Sequence, residues 1–349
     1  MGSTKSVHLK KSLMKWLAMI GGVALLVGAV LYAAGAMPQS DLISTAKLVQ
    51  TFPSEEQMDQ QHIVFDNISK FAVSDRFIFV CDQRAHTIYC FDFDGHFIRQ
   101  FGRPGQGPGE FSDPLFIFWY KSRVYVTDRG NTRIQVFSEE GIWKEAWNLQ
   151  RFVLSPAVTA DTIMVESIDP RYLTDHSVPL FTFLSLRGEV IKSIPGYLEK
   201  SYSDMNKMIQ GNYVTLRAEG GAFHALQVYG DIYRIFDTKG NKVKELKLER
   251  NPLKDQGYRK LGYLYAYPTF DIDGDKILAY RIAKGSIDID AFNSDGRYIQ
   301  TYRCPMDSTL SYLADDMKVV RRGKNVYVYL LLIHPDSIVA VIELRSPNR

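Results

Sequence analysis

Between Ile78 and Gly141 the chain repeats itself without a gap. The first copy reads Ile78-Phe-Val-Cys-Asp82-Gln-Arg-Ala-His-Thr-Ile88-Tyr-Cys-Phe91 and closes on Asp-Phe-Asp-Gly95. The second reads Val124-Tyr-Val-Thr-Asp128-Arg-Gly-Asn-Thr-Arg-Ile134-Gln-Val-Phe137 and closes on Ser-Glu-Glu-Gly141. Apolar falls on apolar, Asp on Asp and Gly on Gly. The rest of the body reads as the same unit, worn down.

The most durable part of the unit is its closing turn. A dipeptide ending in glycine recurs at Asp94-Gly95, Glu140-Gly141, Arg187-Gly188, Lys239-Gly240 and Asp295-Gly296. Glycine suits a tight hairpin that needs positive φ. Four residues before each stands Phe91, Phe137, Leu184, Phe236 or Phe292, and an alternating strand follows each turn. Successive glycines are 46, 47, 52 and 56 residues apart, and a period of roughly forty to fifty residues of short strands is that of a propeller blade. A sixth unit, with strands near Met317–Arg321, Asn325–Leu332 and Ser337–Leu344, stops before its outer strand. Lys47–Phe52 has the character of that strand and resembles Phe97–Phe101, so the N-terminal segment is expected to complete the last blade and close the ring. A sandwich would not repeat at near-fixed spacing, and a β-solenoid wants shorter repeats. The expected fold is all-β, a six-bladed β-propeller over 47–349.

Val124–Gly141 resembles an NHL repeat: a hydrophobic strand ending in Asp, an Asn-His-Arg-like turn, then Ile-x-Val-Phe and a turn ending in Gly. The turn letters are split here, with Asn131 and Arg133 in the second unit and His86 in the first. The loop Phe101–Phe111, followed by Pro114, is similar to the connection between blades in bacterial six-bladed NHL-like propellers. The likeness is specific for residues 68–148, and beyond them it rests on glycine spacing and strand pattern.

Ahead of the body lies an uncharged run of 21 residues, Trp16–Ala36, about 31 Å long as a helix and so able to span a bilayer. Four of the 42 basic residues, Lys5, Lys10, Lys11 and Lys15, precede this run and no acid does, leaving 38 basic against 39 acidic residues in 37–349. Lysines on one side keep the N-terminus cytoplasmic. We therefore read 1–15 as a basic cytoplasmic N-terminus, 16–36 as a transmembrane signal-anchor and 37–46 as a tether, with the propeller outside a bacterial inner membrane. The rival reading is a cleaved signal peptide, since Ala34-Gly-Ala36 forms an A-x-A site; the apolar run is longer than the usual h-region, and Pro38 falls just past the cut. No cysteine precedes Cys81, which excludes a lipoprotein. A near-neutral body argues against nucleic acid as a partner.

Candidate chemistry is sparse. The glycine-rich loop Gly102–Gly109 is interrupted by prolines and followed by a strand, which is wrong for a phosphate cradle opening a helix. The seven histidines, His8, His62, His86, His96, His176, His224 and His334, show no HxH or HExxH spacing. Asp82 and Asp128 end equivalent strands and read as residues that tie down a turn. Asp271–Asp275 and Ile287–Ala291 resemble calcium loops in composition but lack the closing Glu, and Asp alternating with Ile in the second reads as a half-exposed strand. The three cysteines make no CxxC; Cys81 and Cys90 sit on one hairpin, are expected on opposite faces of it, and read as buried free thiols. The largest break in the repeat, Pro195–Leu216, carries Tyr197, Tyr202, Met205 and Met208 and reads equally as a contact surface or as a packed excursion.

No catalytic, cofactor-binding or metal residue is assigned. The expectation is a non-enzymatic interaction or scaffold module with membrane or periplasmic protein partners, possible settings being accessory subunits of respiratory or photosynthetic membrane complexes. The alternatives are an exported metal-dependent lactonase- or lyase-type propeller enzyme and a receptor for a small ligand or glycan.

Overall fold

The structure is a computed structural model that describes residues 42–61, 63, 65–149, 153–166, 175, 178–195, 214–228, 231–249, 251, 267–334 and 337–345. The chain divides into two units, Met1–Ile43 and Ser44–Arg349, and the ring is the second of them. The expected span 16–36, residues 37–41 of the tether and most of the 195–216 insertion lie outside the described residues, while the last tether residues, 43–46, belong instead to the first strand. Among the described residues no helix is long and apolar enough to cross a membrane.

Six four-stranded antiparallel blades follow one another. Blade 1 holds β2 (Ile68–Val73), β3 (Ile78–Asp82), β4 (Thr87–Phe91) and β5 (Phe97–Phe101), and blade 2 holds β6 (Pro114–Tyr120), β7 (Arg123–Asp128), β8 (Arg133–Ser138) and β9 (Trp143–Asn148). Blade 3 holds β10 (Leu154–Thr159), β11 (Thr162–Glu166), β12 (Pro179–Ser185) and β13 (Val190–Pro195). Blade 4 holds β14 (Val214–Glu219), β15 (Ala222–Gln227), β16 (Ile232–Phe236) and β17 (Lys242–Lys247). Blade 5 holds β18 (Thr269–Asp273), β19 (Lys276–Ile282), β20 (Ser286–Phe292) and β21 (Tyr298–Pro305). Blade 6 holds β22 (Leu313–Arg322), β23 (Asn325–His334) and β24 (Ile338–Leu344), and its fourth strand is β1 (Ile43–Phe52). Lys47 stands opposite Glu343 and Phe52 opposite Val339 in the antiparallel β1–β24 ladder. One blade is thus sewn from both ends of the body, and β1 also hydrogen-bonds to β21, so the ring has no open sheet edge there.

Six apolar layers, one between each pair of neighbouring blades, hold the ring. Because a blade packs on both sides, its middle strands are buried on both faces, which reverses two expectations. All seven residues of β20 are buried, Asp288 and Asp290 included. Arg281 and Arg303 hold Asp288 at 2.7 and 2.6 Å, and Asp290 takes Arg281 Nε at 3.0 Å and Thr301 Oγ1 at 2.6 Å. Cys81 stands opposite Ile88 and Cys90 opposite Phe79, which places both thiols on one face. They share the layer between blades 1 and 2, buried and unbridged.

Each innermost strand runs from the face where it begins, here the upper face, to the lower face. The hairpins after it, and those closing on the recurrent glycines, sit at the lower face. In these glycine turns the residue three positions earlier does the fastening. Asp92, Ser185, Asp237 and Asn293 each accept two backbone N–H groups of their own turn, and Ser138 Oγ accepts one. That Asp/Ser/Asn position is legible in the sequence beside the glycine. Between β1 and β2 a short helix, α1 (Glu55–Gln61), opens on a reciprocal cap in which Ser54 Oγ accepts from the Gln57 amide and Gln57 Oε1 from the Ser54 amide.

Candidate functional site: the axial channel

The innermost strands β2, β6, β10, β14, β18 and β22 pack side by side around the axis. Their alternation sends every second side chain toward it, and several of these are charged. Lys70 on β2 donates to Asp315 through both the carboxylate, at 2.6 Å, and the backbone carbonyl, at 2.7 Å. Arg217 on β14 reaches across blade 5 to Asp316 on β22 at 2.5 Å, and also donates to the Met317 carbonyl and Thr269 Oγ1. Asp271 on β18 accepts the Val319 amide at 2.6 Å and lies 3.6 Å from Arg217 Nε. Lys318 on β22 lies 3.7 Å from Asp316. The remaining space is a cavity of about 40 Å³ that adds Phe116, Phe118, Ser155, Pro156 and Thr215 to this polar lining.

The electrostatics follow from low dielectric and close pairing. Burial works to raise Asp316, but Lys318, Arg217 and Lys70 outweigh it and its pKa falls below the ordinary carboxylate value. Asp271 ends up raised, since burial dominates over the help it receives from Arg217 and Lys318. Lys318 is pushed down to about 8 by burial and by Arg217, with Asp316 and Asp271 pulling the other way. Ser155, held at φ 41°, accepts the Leu216 amide at 2.9 Å and ties β10 to β14 beside the cavity it lines.

With this geometry in place, comparison with known proteins is informative at the level of fold. A family model described as a 6-bladed beta-propeller matches residues 59–118. The E3 ubiquitin-protein ligase TRIM32 of mouse and of human is 28% identical over 136 residues, covering 36% of this chain and 21% of theirs, so the match spans about a fifth of those relatives. A Bacteroides vulgatus protein of the duf4221 family superposes with a TM-score of 0.58 at 13% identity, covering 86% of this chain and 98% of that one. This chain is an NHL-like six-bladed β-propeller. A Bacteroides fragilis protein classed as exported shares the fold at a TM-score of 0.56 and 12% identity, covering 86% of this chain and 96% of its own. The propeller of a streptogramin B lyase aligns at 0.51 and 12% identity, covering 86% and 98%.

Within this NHL-like propeller the residues singled out from sequence serve the ring. Asp82 accepts the amides of Asp66, Asn67 and Ala85, and Asp128 accepts those of Ser112 and Asp113 together with Asn131 Nδ2 and Arg133 Nε. Each carboxylate ties the start of its blade to the turn after its second strand. Glu166 holds the same position in blade 3, fully buried, with neither oxygen hydrogen-bonded among the described residues. The glycine-rich loop folds back on blade 2: Arg133 donates to the carbonyls of Gln106, Gly107 and Glu110, and Asn131 to that of Gly105. The NHL-like turn residues are therefore loop clamps.

His86 occupies a left-handed turn at φ 54°, and His224 Nδ1 meets Tyr233 Oη at 2.6 Å inside blade 4. Asp92, Asp94 and His96 stand close enough to share a cation. The Asp92 oxygens are spent on the turn, however, with Oδ1 taken by two amides and Oδ2 by His96. His8, His62 and His176 lie outside the described residues. Asp271 does reach the channel, while Asp273 pairs with Arg321. Sequence reading passed over Lys70, Arg217, Asp316 and Lys318, whose one signal was a charge inside an innermost strand.

A second feature lies on the outside. The outer strands β5, β9, β13 and β17 leave their glycine turns at the lower face with apolar side chains in solvent. Ile98, Ile142, Trp143, Val190, Ile191 and Val243 are all exposed, Ile142 at 59% and Val243 at 66%. Ile98, Ile191 and Val243 share one register, three residues after the turn glycine, in blades 1, 3 and 4, while blade 2 has Lys144 there and exposes Ile142 and Trp143 just before it.

Proposed function

We propose that this chain is an exported, membrane-held β-propeller that acts as a protein-interaction module, docking partners on the lower rim of blades 1–4. The observation that carries the reading is the clustering of exposed apolar residues where four successive outer strands leave their glycine turns, with Ile98, Ile191 and Val243 at one register and Ile142 and Trp143 just before it in blade 2. A stripe of this kind on an otherwise charged surface marks an interaction site. The channel favours the same reading, since its void is too small for a sugar or nucleotide. Export and anchoring rest on Trp16–Ala36 and the lysines before it, in keeping with the exported Bacteroides fragilis propeller of similar fold.

The test is purification of the full chain from native membranes in mild detergent, wild type beside an Ile142→Asp/Val243→Asp variant. The expected result is a partner that co-migrates with the wild type and is lost from the variant, with both fractionating with the membrane. A wild-type chain that runs alone as a monomer at several detergent strengths would overturn the reading.

A further inference from the structure

The channel cavity is chemically lopsided. Of the side chains that line it, Lys70, Arg217 and Lys318 are cationic and only Asp316 is anionic. The other carboxylates of the cluster are not among the lining residues: Asp315 is bound to Lys70, and Asp271 Oδ2 takes the Val319 amide while its Oδ1 stands 3.6 Å from Arg217 Nε. Glu219 on β14 and Asp273 on β18 do not line the cavity, and neither β6 nor β10 brings a charge to it.

Hydrogen bonding is lopsided in the same sense. Among the described residues the Lys318 ammonium donates no hydrogen bond, its nearest carboxylate oxygen standing at 3.7 Å. Arg217 Nε is buried without an acceptor, Asp271 Oδ1 lying 3.6 Å away. Acceptors are not orphaned here, because Asp316 takes the Met317 amide and Arg217 on one oxygen and the Phe71 amide on the other. What the cluster lacks is an acceptor, and a buried donor without one carries a desolvation penalty. The rest of the lining includes an apolar set, Phe116, Ile117, Phe118 and Pro156, with Lys70 Nζ 5.5 Å from the Phe116 ring. About 40 Å³ has room for roughly three waters or one small organic acid.

We propose that this cavity binds a short-chain monocarboxylate, its carboxylate on the cationic side at Lys318 and Arg217 and its alkyl end against Phe116, Phe118 and Pro156. The ligand bridges strands of blades 2, 3, 4 and 6 and so braces the ring. The site is independent of the outer rim, and either can exist without the other.

The probe is sodium propionate added to the full chain in mild detergent, with melting temperature read against sodium chloride and inorganic phosphate at matched ionic strength. Propionate is expected to raise the melting temperature saturably by about 2–4 °C in the millimolar range, as a ligand of the native state must. Lys318→Met abolishes the rise and Lys318→Arg keeps part of it, while Lys324→Gln, on an exposed hairpin, keeps all of it. In the wild type the response shrinks several-fold between pH 7 and pH 9.5 as Lys318 loses its proton, and this arm decides the matter if Lys318→Met does not fold. An equal rise with chloride or phosphate, no rise with propionate, a full rise in folded Lys318→Met, or a rise unchanged up to pH 9.5 overturns the proposal and leaves water as the occupant.

Discussion

Gly141 of blade 2 packs directly on Phe101 of blade 1: a Cβ built on the glycine would stand 2.6 Å from Phe101 Cδ1. The glycine also has φ 82°, a conformation that side chains resist. The same pairing recurs around the ring, with Gly95 on Phe52, Gly188 on Trp147, Gly240 on Phe183 and Gly296 on Leu246. Each glycine turn is therefore a peg set against the blade before it, and the first peg rests on β1, the strand that closes the ring.

Replacing Gly141 by Ala adds backbone strain and a clash with a ring that cannot retreat. The expected loss is about 2–3 kcal/mol, seen as a lower denaturation midpoint at unchanged slope. Gly220→Ala is the control for strain alone, because its Cβ would meet nothing within 4 Å at a comparable φ of 58°. It should cost about 1 kcal/mol.

The thiols of Cys81 and Cys90 are both pushed up to about 12, in each case chiefly by burial. The thiolate is the reactive form, so neither should be labelled by a thiol reagent at pH 8 in the native protein. Labelling of all three cysteines is expected only above the unfolding midpoint, at the rate of global opening. Fast native-state labelling of Cys81 or Cys90 would show that the layer between blades 1 and 2 opens locally.

How much of this was legible depended on whether a contact is local. The glycine turns, the strands after them and the match of Lys47–Phe52 to an outer strand all reside in short windows, and repetition made each window visible several times. The channel does not. Lys70 meets Asp315 across 245 positions and Arg217 meets Asp316 across 99, and only ring closure brings them together. Taken one at a time the innermost strands give no hint of this: β6 and β10 carry no charge, β2 carries one, β14 and β18 two each, and nothing local marks a partner blade for the charges of β22. β20 misled for a related reason: period-two alternation marks a half-exposed strand only where one face meets water, and in a ring of stacked blades neither face does.

Glu166 replaces the Asp of blades 1 and 2 at a site that supplies it no hydrogen bond among the described residues. Burial raises its pKa well above the ordinary glutamate value. The folded chain thus holds a proton that the unfolded chain releases once pH exceeds about 4.5. Stability carried by the protonated form is complete below that value and declines as pH rises toward the folded pKa. Glu166→Gln should be near neutral at pH 4 and more stable than wild type at pH 8. Melting curves across that range check it, and a variant less stable at pH 8 would mean that the carboxylate is ionised and paired.

Arg217 and Asp316 join blade 4 to blade 6 across the axis, both side chains nearly buried at 11% and 5% exposure. Removing one partner strands the other charge in a poorly solvated site, so Arg217→Met or Asp316→Asn alone should cost about 3–5 kcal/mol. The double variant removes both desolvation penalties and should cost clearly less than the sum, a coupling of at least ~2 kcal/mol in a double-mutant cycle. Lys318 supplies an internal check. Asp316 is one of the two carboxylates that hold up its proton affinity, so in Asp316→Asn the Lys318 titration should move below about 8, and Arg217→Met, which removes a neighbouring cation, should move it the other way. Chemical-shift titration of a labelled Lys318 Nζ reads both. Shifts in one direction for both variants would mean that the ammonium answers to burial alone and that the cross-axis pair does not set the channel's field.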